Sequence, residues 1–163
     1  MRFLRFVVIA AAALLPAAGQ AIGKADQVLV VKGEYRLYLM QNGEVMQSFP
    51  VTFGDNPKGH KQQQGDQRTP EGNYSLGYKN SSSSFYKSIH ISYPNAQDRK
   101  SARRRGVSPG GDIMIHGQPN GWGRWSPLTQ LFNWTDGCIA LSNKNMDIVW
   151  ESVNAGIPIE IRP

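Results

Sequence analysis

Apolar and polar residues alternate through most of the chain, and this pattern predicts a protein built mainly from β-strands. The runs that predict strands occupy residues 27–32, 35–41, 44–53, 73–78, 87–93, 112–116 and 157–162. Asn42-Gly43 between the second and third runs predicts a hairpin. The Gly-, Pro-, Lys- and Gln-rich residues 54–72 predict a long exposed loop of the kind that often borders a site. The serine-rich residues 80–84 predict a flexible connection.

Two segments predict short helices. Residues 95–106 begin with Asn95 as N-cap and end at Gly106, with basic residues in the last turn. A second helix is predicted from Ser142 to Gly156, because its apolar residues recur on one face. The fold class is therefore mainly β with short helices (α+β).

The N-terminus resembles a secretory signal peptide, residues 1–21. Arg2 and Arg5 precede an apolar stretch at 6–15, and small residues follow, with cleavage expected after Ala21 or, almost equally, after Gly19. Ten apolar residues are too few to span a bilayer, so no transmembrane segment is expected after cleavage. Loss of the two arginines lowers the net charge from +6 to +4, because all acidic residues lie after position 21. Residues 22–163 are predicted to form one domain without a structural metal or a disulfide.

Cys138 is the chain's only cysteine, so it has no partner for a disulfide within the chain. Three interpretations are open: Cys138 forms a disulfide with another chain, it is a buried apolar residue, or it is a nucleophile. Its surroundings favour the nucleophile. Gly137 permits a close backbone approach and offers an N–H to an oxyanion. His116 supplies a candidate base, which a thiol of pKa about 8.5 needs at neutral pH.

Three motifs carry a resemblance to a known family. They are Thr-Pro-Glu-Gly-Asn-Tyr at 69–74, Ile-Met-Ile-His-Gly at 113–117 and Thr-Asp-Gly-Cys at 135–138. In this order they resemble the L,D-transpeptidase family, the YkuD-like catalytic domain, over most of residues 27–162. The resemblance implies a β-sandwich or barrel with a cleft between the His and Cys elements.

By the same resemblance Cys138 is the nucleophile and His116 the general base, while the N–H groups of Gly137 and Cys138 stabilise the oxyanion. Neither a metal nor another cofactor is expected, since the three histidines and the cysteine lack zinc-ligand spacing. The residues predicted to contact substrate are Arg124, Gly117, Thr135 and Arg68.

The chain departs from the commoner family pattern at two positions. Asp136 stands where a histidine is usual, and Ala140 where an arginine or asparagine helps to hold substrate. A carboxylate so close to the thiol is expected to raise the thiol pKa unless it points away. Arg124 is the first candidate to replace the missing anchor, although a surface arginine stacked on tryptophan is an equal alternative. Arg68 and residues 103–105 are further candidates.

The resemblance implies a periplasmic cysteine acyltransferase that acts on peptidoglycan stem peptides through a thioester, making L,D cross-links or exchanging terminal residues. One alternative delivers the thioester to water, as an L,D-carboxypeptidase or amidase. A second is a non-catalytic wall-binding module. A nucleic-acid partner is not expected, and no oligomeric state is predicted. Carbapenems are expected to acylate Cys138, as they do cysteines of this family.

Other ring residues have less specific interpretations. His90 is interpreted as structural, because it projects to the strand face opposite Ile89 and Ile91. His60, among lysines and glutamines, is interpreted as solvated. The tryptophans at 122, 125 and 134 fit a substrate-covering lid or ordinary packing equally well.

Overall fold

The computed structural model describes residues 23–163, so the predicted signal peptide lies outside the described residues. The strands of the described part are β1 (Gln27–Val31), β2 (Arg36–Gln41), β3 (Glu44–Pro50), β4 (Gly72–Ser83), β5 (Tyr86–Ile91), β6 (Met114–His116), β7 (Ile139–Ala140) and β8 (Pro158–Arg162). Its helices are α1 (Ala96–Arg104), α2 (Ser126–Thr129) and α3 (Asn143–Ser152), with 3-10 turns at Lys32–Glu34 and Gly123–Trp125. The predicted class, mainly β with short helices, is confirmed. From residue 23 onward, no helix has the length and apolarity needed to cross a bilayer.

The strands form one sheet in the order β3-β2-β1-β8-β4-β5-β6-β7. The C-terminal strand β8 lies inside the sheet, parallel to β1 and antiparallel to β4. The sheet is not closed, which corrects the barrel form of the expected fold. Two isolated bridges, Thr52 with Ala140 and Gly54 with Thr135, join the chain after β3 to the opposite edge of the sheet. This contact brings the start of the long loop onto the cysteine motif.

The predicted hairpin is confirmed between β2 and β3. Asn42 and Gly43 have φ angles of 52° and 81°, and both lie in the left-handed region that a type I′ turn requires. Buried residues alternate along the strands, and the apolar face of α3 covers them through Met146, Val149 and the following Val153. The helical periodicity of this segment therefore marks its core face correctly.

The serine-rich segment is part of a strand, so its prediction as a flexible connection is wrong. β4 continues to Ser83, and Asn80 and Ser83 pair with Ser88 and Tyr86 of β5. Backbone hydrogen bonds to a neighbouring strand outweigh the weak strand preference of serine and asparagine at these positions. The polar run becomes a wall of the site described below.

The helix termini follow local signals. Asn95 caps α1 in a capping box with Asp98, and Gly106 follows the helix with φ of 68°. Ser142 caps α3, which ends at Ser152, four residues before the predicted stop at Gly156. The short helix α2 was not predicted; it carries a proline in its first turn.

The long loop, residues 54–72, is fixed to the sheet by buried polar contacts. The Lys32 ammonium donates to the carbonyl oxygens of Gly59 and Thr69 at 2.8 and 3.2 Å and to a Glu71 carboxylate oxygen at 2.7 Å. His60 accepts from the Glu71 N–H at 3.0 Å and lies 3.2 Å from an Asp98 carboxylate oxygen. The interpretation of His60 as solvated is therefore incomplete: the side chain is 34% exposed, but its ring also links the loop to α1.

Candidate active site

The cysteine and histidine elements are brought together by parallel pairing of two very short strands. β6 and β7 pair in parallel with Ile115 opposite Ile139 and His116 opposite Ala140. The two isoleucines are fully buried in the core. Side chains alternate along a strand, and His116 and Cys138 are each adjacent in sequence to one of these isoleucines. Both therefore project to the face opposite the core.

His116 and Cys138 line one cavity of about 660 Å³. One wall consists of the polar end of β4 and the turn after it, and the other consists of the segments that precede β6 and β7. The remaining lining residues are Asn80, Ser82, Ser83, Ser84, Phe85, Ser88, Gly111, Asp112, Ile113, Met114, Trp134, Thr135 and Asp136. The cavity is therefore the predicted cleft between the His and Cys elements.

The imidazole of His116 is buried and held in one orientation. Its Nδ1 lies 2.7 Å from the carbonyl oxygen of Gly117, which can only accept, so Nδ1 carries the proton and Nε2 keeps its lone pair. Burial lowers the pKa of His116 to about 4, although the bond to Gly117 opposes this shift. Phe85 and Trp134 enclose the ring, with centroids 4.7 and 5.6 Å away. His116 is thus a neutral base at neutral pH.

The thiol of Cys138 is half-buried and makes two backbone contacts. Its sulfur accepts from the Met114 N–H at 3.4 Å, and the S–H donates to the Asp112 carbonyl oxygen at 3.6 Å. Burial raises the thiol pKa, the Met114 N–H lowers it, and the Asp136 and Asp112 charges raise it further, partly offset by Lys61. At neutral pH the cavity therefore holds a neutral thiol and a neutral imidazole.

A tight turn presents the cysteine. The Thr135 hydroxyl donates to the Cys138 carbonyl at 2.8 Å and accepts from the Gly137 N–H at 3.2 Å. Gly137 has φ of 120°, and a Cβ there would lie 2.5 Å from the Arg68 carbonyl oxygen. The turn consequently requires glycine both for its backbone conformation and for its contact with the long loop.

The four residues predicted to contact substrate occupy different surroundings. Thr135 lines the cavity, but its hydroxyl is engaged within the turn. Gly117 lies behind His116, and its carbonyl orients the ring. Arg124 is exposed, and its guanidinium carbon lies 5.3 Å from the centroid of the Trp125 ring. This is the alternative of a surface arginine stacked on tryptophan. The backbone of Arg68 touches Gly137, while its guanidinium lies near Gly59. Neither arginine is among the cavity-lining residues.

Several residues of the site were not singled out from the sequence. Phe85 and the run of serines form much of the cavity wall, and the Asp112 carbonyl holds the thiol. The uninterrupted polar run at 80–84 was the available signal for that wall. Trp134 lines the cavity, whereas Trp122 and Trp125 are exposed. His90 stacks on Tyr78 at 5.0 Å and does not line the cavity.

Comparison with known proteins gives consistent matches. A model of the YkuD family, the L,D-transpeptidase catalytic domain, matches residues 25–161. YafK from Escherichia coli (strain K12), named as a candidate L,D-transpeptidase, is 28% identical over 144 residues, which are 85% of this chain and 51% of YafK. The chain thus spans about half the length of the curated relatives it matches.

Solved structures show the same fold. The helical cell shape determining protein Pgp2 from Campylobacter jejuni is 27% identical, with a TM-score of 0.61 over 83% of this chain and 46% of Pgp2. An L,D-transpeptidase from Mycobacterium tuberculosis H37Rv is 16% identical, with a TM-score of 0.55 over 84% of this chain and 57% of that one. At 16% identity the second likeness concerns the fold alone.

Proposed function

Because the chain belongs to the L,D-transpeptidase catalytic-domain family, we propose that it transfers acyl groups of peptidoglycan stem peptides through a thioester on Cys138. The observation that carries the proposal is the hydrogen bond from His116 Nδ1 to the Gly117 carbonyl. This bond fixes the tautomer whose Nε2 can accept a proton, in the cavity that also holds the only thiol of the chain.

The reaction starts from the neutral pair. As the sulfur attacks the amide carbonyl, the thiol proton moves to His116 Nε2, and the imidazolium then protonates the departing amine as the C–N bond breaks. A second amine then attacks the thioester and passes a proton to His116. As the new C–N bond forms, the C–S bond breaks, and the imidazolium returns the proton to the sulfur, which restores the thiol. The low pKa of His116 makes it a weak base and a strong acid, which favours the step in which the amine leaves.

The tetrahedral oxyanion needs a donor beside the sulfur. The Gly137 N–H is held by the Thr135 hydroxyl at 3.2 Å, so we assign the main role to the Cys138 N–H. Thr135 and Gly117 act in this scheme as positioning residues for the turn and for the imidazole. Neither role requires them to touch substrate.

The N-terminus and one relative support a proposal for the place and purpose of the reaction. We propose that residues 1–21 direct export and that residues 22–163 act as the catalytic domain in the periplasm. Pgp2 is named for determining helical cell shape, and we extend a role in wall remodelling to this chain. The alternative is that water hydrolyses the same thioester, which would make the protein an L,D-carboxypeptidase or amidase. The assay described next distinguishes transfer from hydrolysis.

The test uses purified protein and tetrapeptide muropeptides. Wild type should form cross-linked dimers, whereas shortened products alone would assign hydrolysis. Cys138→Ala and Cys138→Ser should be inactive but folded, and His116→Asn should slow acylation by about 10² to 10⁴. His90→Asn is the matched control, since His90 stacks on Tyr78 outside the cavity. Full activity of Cys138→Ala would refute the thioester.

A carbapenem supplies an independent readout. Intact-mass analysis should show a drug-sized adduct on wild type that maps to Cys138 and is absent from Cys138→Ala. Binding of cell wall that survives in Cys138→Ala, with no adduct on wild type, would instead identify a wall-binding module.

A further inference from the structure

The connection between β6 and β7 carries an apolar stripe on its outer surface. Its members are large apolar residues that are 46% to 77% exposed, namely Trp122, Trp125, Leu128, Leu131 and Phe132. They are five of the nine exposed large apolar residues in the described part of the chain. With about 200 Å² for a large side chain, they present about 600 Å² of apolar surface. An apolar patch of this size is at the upper end of what a monomeric protein exposes and marks an interaction site.

The helical turns that carry the stripe are amphipathic in the inverted sense. The first four members of the stripe recur at every third residue, so they share one face of the 3-10 turn and α2. The other face holds Gly123, Ser126 and Thr129, and the two hydroxyl residues are only 8% exposed. A surface helix in contact with water buries its apolar face and exposes its polar face. This segment does the reverse, so its outer face suits an apolar partner.

Polar contacts hold the segment in this orientation. The Ser126 hydroxyl donates to the Gly123 carbonyl oxygen at 2.7 Å, and the Thr129 hydroxyl donates to the side-chain oxygen of Gln118. Gln118 is fully buried, and its side-chain amide donates to the Leu141 carbonyl oxygen at 2.6 Å. Rotation of α2 to bury its apolar face would break the contact of Thr129 with Gln118 and leave buried polar groups without partners. The exposure of the stripe is therefore fixed by the packing beneath it.

Composition and charge identify the kind of partner. Between Asp112 and Asp136 the chain has no acidic residue, and Arg124, which lies within the stripe, is exposed. Tryptophan, phenylalanine and leucine beside a cation are typical of helices that lie in the headgroup region of a bilayer. A second copy of the chain fits less well, because about 600 Å² is less than the roughly 800 Å² that each partner buries in a standard protein interface.

We propose that the apolar stripe binds the surface of a phospholipid bilayer that carries anionic headgroups. The apolar side chains enter the boundary between headgroups and acyl chains, and the Arg124 guanidinium pairs with lipid phosphate. The inference goes beyond the proposed function, since none of the stripe residues lines the catalytic cavity. Binding would hold the connection between His116 and Trp134 at the membrane without taking part in the reaction.

The test measures co-sedimentation with vesicles of phosphatidylethanolamine and phosphatidylglycerol, and in parallel with vesicles of phosphatidylcholine. It uses residues 22–163, which contain all described strands and helices, because the apolar run at 6–15 would itself bind lipid. Wild type should bind the anionic vesicles more tightly, and its tryptophan fluorescence should shift to shorter wavelength as the rings leave water. Arg124→Gln should weaken binding to the anionic vesicles by about fivefold and leave binding to phosphatidylcholine unchanged.

The double substitution Leu131→Gln and Phe132→Gln should weaken binding to both kinds of vesicle at least tenfold, roughly the effect of removing two apolar side chains from the bilayer. Val45→Gln is the matched control, because Val45 is 55% exposed on β3 and lies outside the stripe. It should bind like wild type. Without vesicles, the double variant should release D-alanine from tetrapeptide muropeptides at the wild-type rate, which also shows that it is folded.

Several outcomes would overturn the inference. They are failure of wild type to bind either kind of vesicle, equal affinity for both kinds, and a loss in Val45→Gln as large as that in the double variant. Self-association in sedimentation equilibrium that the double substitution abolishes, without vesicle binding by wild type, would assign the stripe to a second copy of the chain. Vesicle binding by a protein that releases no D-alanine and forms no adduct on Cys138 would leave the inference standing and overturn the proposed function.

Discussion

The neutral imidazole of His116, which is buried in the wall of the cavity, makes the stability of the fold depend on pH. The pKa of His116 is lowered from 6.5 to about 4, chiefly by burial. Above 6.5 the ring is neutral in the folded and unfolded protein alike. As pH falls below 6.5 the unfolded chain binds a proton that the folded chain does not, so stability decreases until the pH reaches about 4.

The size of the effect follows from the two pKa values. Each tenfold difference in proton affinity is worth about 1.4 kcal/mol, so the full interval from 6.5 to about 4 corresponds to about 3 kcal/mol. Between about pH 7 and about pH 5 the same linkage gives a loss of about 2 kcal/mol. This narrower window avoids most of the titration of carboxylates.

Urea unfolding of wild type and of His116→Asn at these two pH values measures the loss. Asparagine keeps a neutral N–H that can donate to the Gly117 carbonyl but does not titrate. Wild type should lose about 2 kcal/mol more than His116→Asn on acidification. His90→Asn, in which His116 is intact, should behave like wild type. Equal losses in wild type and His116→Asn would refute the burial of a neutral imidazole.

Three further substitutions test the surroundings of the thiol. Gly137→Ala should lower the free energy of unfolding by about 2 to 4 kcal/mol, because the new Cβ would clash with the Arg68 carbonyl oxygen and the residue has φ of 120°. In urea unfolding, a loss below about 1 kcal/mol would show that the loop can move away. Asp136→Asn should lower the pKa of Cys138, because it removes a negative charge that raises this pKa. The rate of alkylation by iodoacetamide, measured as a function of pH, should then rise at lower pH than in wild type. An unchanged pH dependence would exclude an effect of this charge. Lys32→Met should lower the free energy of unfolding by about 3 kcal/mol in urea, because the ammonium loses one buried and two partly buried hydrogen bonds. An unchanged free energy of unfolding would remove Lys32 as the anchor of the loop.

The elements that the sequence predicts well are those with a local physical cause. Asn42-Gly43 tolerates left-handed backbone angles, so it specifies the hairpin without reference to the rest of the chain. The capping box of Asn95 and Asp98 likewise fixes the start of α1 within four residues. Neither feature depends on distant partners.

The errors occur where distant partners decide the structure. Asn80 is in a strand because it pairs with a residue of β5. His60 has a fixed partner because Asp98, which is 38 positions later in the chain, lies next to it in the folded protein. The same limit applies to the site. The motifs single out Cys138 and His116, but the carbonyl that orients the imidazole emerges only from the packing of Gly117 against β5 and α3.

The two departures from the commoner family pattern differ in what the fold allows. Asp136 is exposed in a turn that Thr135 holds through its own hydroxyl, so the charge at this position can change without disturbing a packed neighbour. Ala140 is fully buried and joined to β6 on one side and to Thr52 on the other. Because Ala140 is fully buried, an arginine side chain at this position would have to displace packed neighbours, so a change in substrate binding would be mixed with a change in stability. Substrate charge preference is therefore best studied by changing Asp136, where electrostatics and packing are independent.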